Sequence, residues 1–195
     1  MRTTYIITHV IGLLMLTGCQ TVKPISMSAD VTPTAPGIKN GDVLAPQRNA
    51  GQDIPQLRGY EMVTVRTYEY VKKPNSDFGT NTEIEGIGCE LQSEGYRAAI
   101  KTPAEVRVPD YGYASRPLKV RCDAPGYKPA FASTVAYNKT TQQRMSSAGS
   151  GGLAGVVVVA LINAASDEKK HDFSYHGINV RMNKLGCEKQ SGGCR

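Results

Sequence analysis

Cysteine is the residue type with the most chemistry to offer in this chain, and there are five: Cys19, Cys89, Cys122, Cys187 and Cys194. A thiolate can attack carbon, bind a metal or be oxidised to a disulfide, and spacing separates these uses. Structural zinc sites draw their ligands in pairs about two to four residues apart. No two of these cysteines are that close. The histidines do not supply the missing ligands. His171 and His176 lie among Asp167, Glu168 and Asp172, but residues five apart in an extended strand point to opposite faces, so the two rings would not converge. The segment reads as a solvated charged turn with an exposed histidine, and no metal or cofactor is expected.

Catalytic constellations are missing too. Serines are plentiful, yet none sits in a G-x-S-x-G elbow. The run "GSGGLAG" at 149–155 lacks the Lys-Ser/Thr of a phosphate-binding loop and the G-x-G-x-x-G spacing of a dinucleotide site. Glu83 and Glu85 share a strand face beside a turn and read as solvated, not as an acid and base pair. A hydrolase would need His171 or Ser150 held in a cleft against a carboxylate. The expectation is a protein that is not an enzyme.

The N-terminus places the thiols in a compartment. A basic start, Met1-Arg2, leads into the apolar stretch "YIITHVIGLLML", after which the side chains shrink to Thr17 and Gly18. That is the layout of a secretory signal peptide, and the run is shorter than the roughly 20 residues a spanning helix needs. Leu16-Thr17-Gly18-Cys19 resembles the bacterial lipobox. The resemblance implies removal of residues 1–18, a thioether between the Cys19 sulfur and a diacylglycerol, and a further acyl chain on the new N-terminal amine. At about 0.8 kcal/mol per buried methylene, several chains hold a protein far more firmly than one. Gln20 stands where an Asp would signal inner-membrane retention, so the resemblance implies the cell outer membrane, with the chain facing the periplasm.

The formal charge of +6 suits contact with lipid or lipopolysaccharide phosphates, or with peptidoglycan carboxylates. The basic residues are scattered, however, with only Lys72-Lys73 and Lys169-Lys170 adjacent, and no basic run is interleaved with aromatics. Nucleic acid is not an expected partner. Residues 19–57 carry Pro24, Pro33, Pro36, Pro46 and Pro55 among small polar residues with no hydrophobic period, and read as a lipidated flexible tether.

Folded structure is expected over 58–186. "YEMVTVRTYEYV" has strand composition with apolar residues on both parities. "IEGIGCEL" puts Ile87, Cys89 and Leu91 on one face, and "YRAAIK" does the same for Tyr96, Ala98 and Ile100. "AEVRV" and "LKVRCDA" alternate cleanly, with Ala104, Val106 and Val108 inward in the first and Leu118, Val120 and Cys122 inward in the second. "FASTVAY" predicts a strand with Phe131, Val135 and Tyr137 on one side. In "FSYHGINVRM" the apolar parity flips around Gly177, which predicts a β-bulge there. The sum is a mainly β fold, an antiparallel β-sandwich of about seven strands.

With Cys19 set aside, four cysteines can pair in three ways. Cys89 and Cys122 both point into the interior, which favours Cys89–Cys122 and leaves Cys187–Cys194 to close the C-terminal loop 187–195, "CEKQSGGC" and the final Arg195. The region from Ile84 to Pro129, with "GIGCEL", "TPAEVRVP" and "LKVRCDAPGYKP", resembles the small β-sandwich modules of the PEGA and carboxypeptidase-regulatory kind, and also uncharacterised proteobacterial lipoproteins. The resemblance implies a fold; such modules serve many roles.

One segment stands apart. "SSAGSGGLAGVVVVALINAAS" has a small-xxx-small pair, Gly151 and Gly155, and its stretch 149–165 carries no charge. It reads either as a buried helix or extra strand packed on the sandwich, or as a membrane-contacting or self-associating element. The function expected is therefore a non-catalytic structural or binding module, lipid-anchored in the outer membrane, with an envelope protein or peptidoglycan as partner. The alternative is a membrane-associating or self-assembling component, an oligomer built through the Gly/Val-rich segment.

Overall fold

The computed structural model describes residues 22–38, 41–72, 78–148, 152–190 and 192–195, with the side chains of 152–155 left aside. Cys19, residues 1–18 that were expected to be a signal peptide, and Gly151 lie outside the described residues. The fold is mainly β, as expected. The described strands are β1 (Met27–Asp30), β2 (Thr32–Pro33), β3 (Gly59–Lys72), β4 (Gly79–Ile84), β5 (Gly88–Ser93), β6 (Tyr96–Lys101), β7 (Ala104–Asp110), β8 (Leu118–Asp123), β9 (Ala130–Thr134), β10 (Ala136–Asn138), β11 (Phe173–Tyr175) and β12 (Ile178–Met182). The helices are α1 (Ala45–Asn49), α2 (Lys139–Ala148) and α3 (Gly152–Ala165).

Two sheets share one core. The first runs β1-β7-β3-β12, and its organiser is β3, whose first half pairs with β7 and second half with β4 along one edge while Val65–Glu69 pair with β12 along the other. The second runs β2-β6-β5-β8-β9. Strand β1 lies beside β6 and β12 beside β9, so the sheets close on each other at both sides. Between them Val63, Val65, Leu91, Val106, Val108, Leu118, Val120, Val180 and Met182 are almost wholly buried. These are the residues of one parity in each strand, which is why a single core forms. At the buried end of β3 the hydroxyls of Thr67 and Thr102 hydrogen-bond each other at 2.6 Å, and Thr67 also donates to the Ile84 carbonyl, so neither hydroxyl is left unpaired.

Both disulfides form as expected. Cys89 and Cys122 are directly opposite in the β5–β8 register, with Cα atoms 4.0 Å apart, and their sulfurs bridge inside the core. Cys187 and Cys194 bridge across the C-terminal turn, where Arg195 stacks over the Tyr70 ring at 4.2 Å.

Four expectations are corrected. The tether does not extend to residue 57. Met27, Ala29 and Val31 turn one face of β1 and its following residue toward the core, β1 pairs in parallel with β7, and Val43, Leu44 and Ile54 are buried. The hydroxyl of Tyr111 accepts from the Leu44 N–H at 3.2 Å and donates to Asp42 at 2.9 Å, tying this segment down. Burial is the chief cause that raises the Tyr111 pKa, so the phenol stays neutral and keeps both bonds. The pairings of β1 with β7 and of β12 with β3 are parallel, so the first sheet is mixed, not antiparallel throughout.

There is no bulge at Gly177. The parity flips because β11 pairs with β10 and the chain then crosses to β3 as β12. A Cβ on Gly177 would lie 2.5 Å from the Thr64 hydroxyl oxygen, so the crossing needs glycine for space. Finally, "FASTVAY" is two strands, and Phe131 and Val135 are exposed while Ala130 faces in. Strand β9 runs along β12 at the closing side, where alanine-sized side chains fill the gap.

Because the Cys89–Cys122 bond restricts a loop with a sequence separation of 33, replacing both cysteines by alanine is expected to lower stability by about 3 to 4 kcal/mol in the chain-entropy treatment. Replacing Cys187 and Cys194, separated by 7, is expected to cost about 2 kcal/mol. Urea titrations of the two double variants check both the order and the size.

Candidate functional site

Two surfaces are built by the fold and left uncovered by it. The first is the outer face of the second sheet. Residues of the outward parity on β6, β5, β8 and β9 line up in rows: Arg97, Gln92, Lys119 and Ser133 in one, Ala99, Glu90, Arg121 and Phe131 in the next. A shallow depression of about 470 Å³ lies over Glu90, Gln92, Lys119, Arg121, Phe131 and Ser133. Arg121 is held from both sides, by Asp123 at 2.9 Å and by the Phe131 ring at 5.9 Å. Phe131 itself is 70% exposed. A flat aromatic beside an oriented guanidinium is suited to a sugar face or an anionic group, and the surrounding Arg97, Lys101 and Lys119 give the face a positive sign.

The second surface is a helical hairpin. Strands β10 and β11 pair antiparallel, with Asn138 opposite Phe173, and the described residues between them include α2 and α3, packed on each other. Its base is clamped. Asn138 caps α2 by accepting from the Thr141 N–H, which turns its amide nitrogen toward Nδ1 of His171 at 2.8 Å. The amide nitrogen donates in this contact and Nδ1 accepts. Arg58 donates to the carbonyls of His171 at 2.9 Å and Lys169 at 2.5 Å. Lys169 in turn reaches Asp53 at 2.6 Å, and Tyr113 donates to the same carboxylate at 2.8 Å.

The sequence-derived candidates fall in different places. Cys89, Cys122, Cys187 and Cys194 are bridged. Gly155 lies in α3, and Gly151 is outside the described residues. His171 is buried at 4% exposure, a correction to the exposed histidine expected from the charged sequence around it. It is buried because the clamp encloses it, and it faces the Asn138 amide, not a carboxylate. His176 is exposed on the far side of β11 and stacks on Tyr137 with ring centroids 4.1 Å apart. The two histidines do not share a site. Glu83 is not simply solvated either, since its carboxylate takes the Arg66 guanidinium at 2.5 Å and the Lys23 N–H at 3.0 Å. Glu85 pairs with the Lys23 ammonium at the surface. Among the described residues the only grouping with metal-ligand spacing is Cys187, Glu188 and Cys194, and its two sulfurs are spent on the disulfide. Not legible in the sequence are the sheet face, whose signal is the outward parity of "ELQ" and "LKVRCD", and the clamp, which gives no local signal because Arg58 is more than a hundred residues from Lys169 and His171, and Asp53 as far from Lys169.

Compared with protein-family models, curated proteins and solved structures, the chain shows no match.

The clamp has an acid limit. Hydrogen bonds from Lys169 first and Tyr113 second hold the Asp53 carboxyl below the ordinary carboxylate range. A depressed folded-state pKa means that the stabilisation is complete above the unfolded value and is lost as pH falls through the folded one. Amide exchange at 167–171, corrected for intrinsic rates, is expected to accelerate below about pH 4. An Asp53→Asn variant is expected to exchange faster at neutral pH and to lose that pH dependence.

Proposed function

We propose that this protein is an outer-membrane-anchored lipoprotein of the periplasm, acting as a non-catalytic structural or binding module of the cell envelope. The observation that carries the proposal is the use of the five cysteines: four close on each other in two disulfides, and the remaining one, Cys19, ends the lipobox-like Leu16-Thr17-Gly18-Cys19. Paired thiols fit an oxidising compartment, and an odd cysteine directly after a signal-peptide pattern fits an acyl anchor. The PEGA-like resemblance of residues 84–129 agrees with a β-sandwich serving as a binding scaffold.

The mechanism is one of residence and contact. Acyl chains on Cys19 supply residence at the membrane. Because β1 begins at Met27 and Val43, Leu44 and Ile54 are buried on the domain, little chain separates the anchor from the first strand, and the module works close to the lipid surface. The outer face of the second sheet, with Phe131, Arg121, Lys119 and Arg97, supplies contact to an anionic envelope polymer, for which peptidoglycan has the right chemistry: sugar rings for the aromatic and carboxylates for the cations. A second reading, a membrane-associating component, is favoured by the exposure of Val157, Val158, Leu161 and Ile162 on α3.

The test is intact-mass analysis of the protein extracted from membranes of a Gram-negative host. A chain beginning at Cys19 with three acyl chains and no free thiol is expected, and Cys19→Ala is expected to abolish the added lipid mass. An unmodified Cys19 sulfhydryl would overturn the proposal. Crosslinking of the native protein to sacculi, weakened several-fold by Lys119→Glu with Arg121→Glu at unchanged thermal stability, is the matching expectation for the sheet face.

A further inference from the structure

Helix α3 is inside out. At 3.6 residues per turn, Val157, Val158, Ala160, Leu161, Ile162, Ala164 and Ala165 span about 200° of its surface, and all seven are exposed. Val157 is 59% exposed, Val158 55%, Leu161 66% and Ile162 49%. The positions turned toward α2 are Val156, Val159, Asn163 and Ser166, which are partly buried. Its polar side chains are thus the ones on the inner side: Arg144 of α2 donates to Asn163 at 3.1 Å and to Ser166 at 2.9 Å. A helix on a water-soluble domain places its polar groups outward and its apolar stripe inward. This hairpin does the reverse.

We infer that the α2–α3 hairpin embeds α3 in a lipid bilayer, as a membrane contact separate from the acyl anchor. The inference deepens the membrane-associating reading by naming what covers the helix. Three observations select lipid. The apolar arc is about twice the width of the stripe that one packed protein face occupies, roughly 100°, whereas lipid contacts every side presented to it. Seven small and medium side chains are too few for a self-interface, since a stable one engages about 20 to 30 residues a side. Charge is also distributed as a bilayer requires. The sequence between Arg144 and Asp167 has no charged residue, while Lys139, Asp167, Glu168, Lys169, Lys170 and Asp172 gather at the base. Lys169 is held by Asp53, and Lys139 and Lys170 remain at the level where lipid phosphates would be.

The depth is limited. No helix among the described residues is long and apolar enough to cross a membrane, and the 14 residues of α3 measure about 21 Å against a hydrocarbon core of about 30 Å. Helix α3 therefore enters one leaflet and lies along or obliquely within it. Strands β10 and β11 and the Arg58 clamp hold the hairpin base to the sandwich, so the domain is oriented on the surface as well as tethered to it.

The chain contains no tryptophan, so a single introduced indole reports its surroundings without background. Leu161→Trp and Phe131→Trp are prepared in the full protein and mixed with vesicles of phosphatidylethanolamine and a minority of phosphatidylglycerol, with and without acyl-chain bromination. Embedding requires that emission from the Leu161→Trp variant move to shorter wavelength and be quenched several-fold more by brominated lipid than emission from the Phe131→Trp variant, whose indole stays in water. Emission of the Leu161→Trp variant that remains water-like on vesicle-bound protein would overturn the inference. So would a shift that grows with protein concentration in the absence of lipid and shows no quenching, since a second copy would then be covering the helix. Intact mass of the same preparation reports the acyl anchor separately, because an embedded helix would float the protein with or without acyl chains. A Leu161→Trp variant that floats with a water-exposed indole refutes embedding alone, and one that lacks acyl chains but is quenched refutes the anchor alone.

Discussion

The structure depends on β3 being paired along both edges while one of its faces is buried. Its odd positions Val63, Val65 and Thr67 lie in the core, and its backbone is shared by β7 and β4 on one side and β12 on the other. A strand held in this way fixes the first sheet, and the first sheet gives the second a surface to close upon. The Cys89–Cys122 bond then locks the two central strands of the second sheet from inside. Burial of a Val or Leu side chain contributes about 1.5 to 3 kcal/mol, so the residues facing β3 far outweigh any surface ion pair, whose worth is about 0 to 1 kcal/mol.

That division explains what is left for function. Core formation uses the inward parity of every long strand and so leaves the outward parity of β5, β6, β8 and β9 free to carry Arg97, Lys119, Arg121 and Phe131. The hairpin is set apart differently. It leaves the sandwich between two paired strands and returns to the same pairing, which lets its apolar surface point away from the core without disturbing it. Among the described residues its firm ties are the polar ones at the base, through Arg58, Asp53, Asn138 and His171. On the reading proposed above, the cationic sheet face and the apolar helix are separate surfaces, one for the polymer and one for the membrane.

The sequence made the central strands readable because their burial is one-sided. Period-two alternation in "YRAAIK", "AEVRV" and "LKVRCDA" gave the inward faces, and two cysteines of inward parity gave the disulfide. Edge strands were hidden. In β1 the alternation of Met27, Ala29 and Val31 is present, but proline-rich surroundings masked it, and its parallel partner is more than seventy residues away. The parity flip at Gly177 is legible in the sequence, but parity alone does not distinguish a bulge from a change of sheet. Phe131 defeated hydrophobic patterning because its partner is the Arg121 guanidinium, not the core. The four valines of α3 favour a strand by type, and the polar contacts of Arg144 with Asn163 and Ser166 belong to a helix packed on α2.

The division of labour between sandwich and hairpin requires that the core be complete without α2 and α3. Strands β10 and β11 are already positioned for a direct connection, so residues 139–172 can be replaced by a two-residue Asn-Gly turn. Equilibrium urea unfolding of that shortened protein, disulfides intact, is the most direct measurement. A single cooperative transition within about 1 kcal/mol of the full chain is the predicted result. Loss of the cooperative transition would show that the hairpin is part of the core, and would contradict the account.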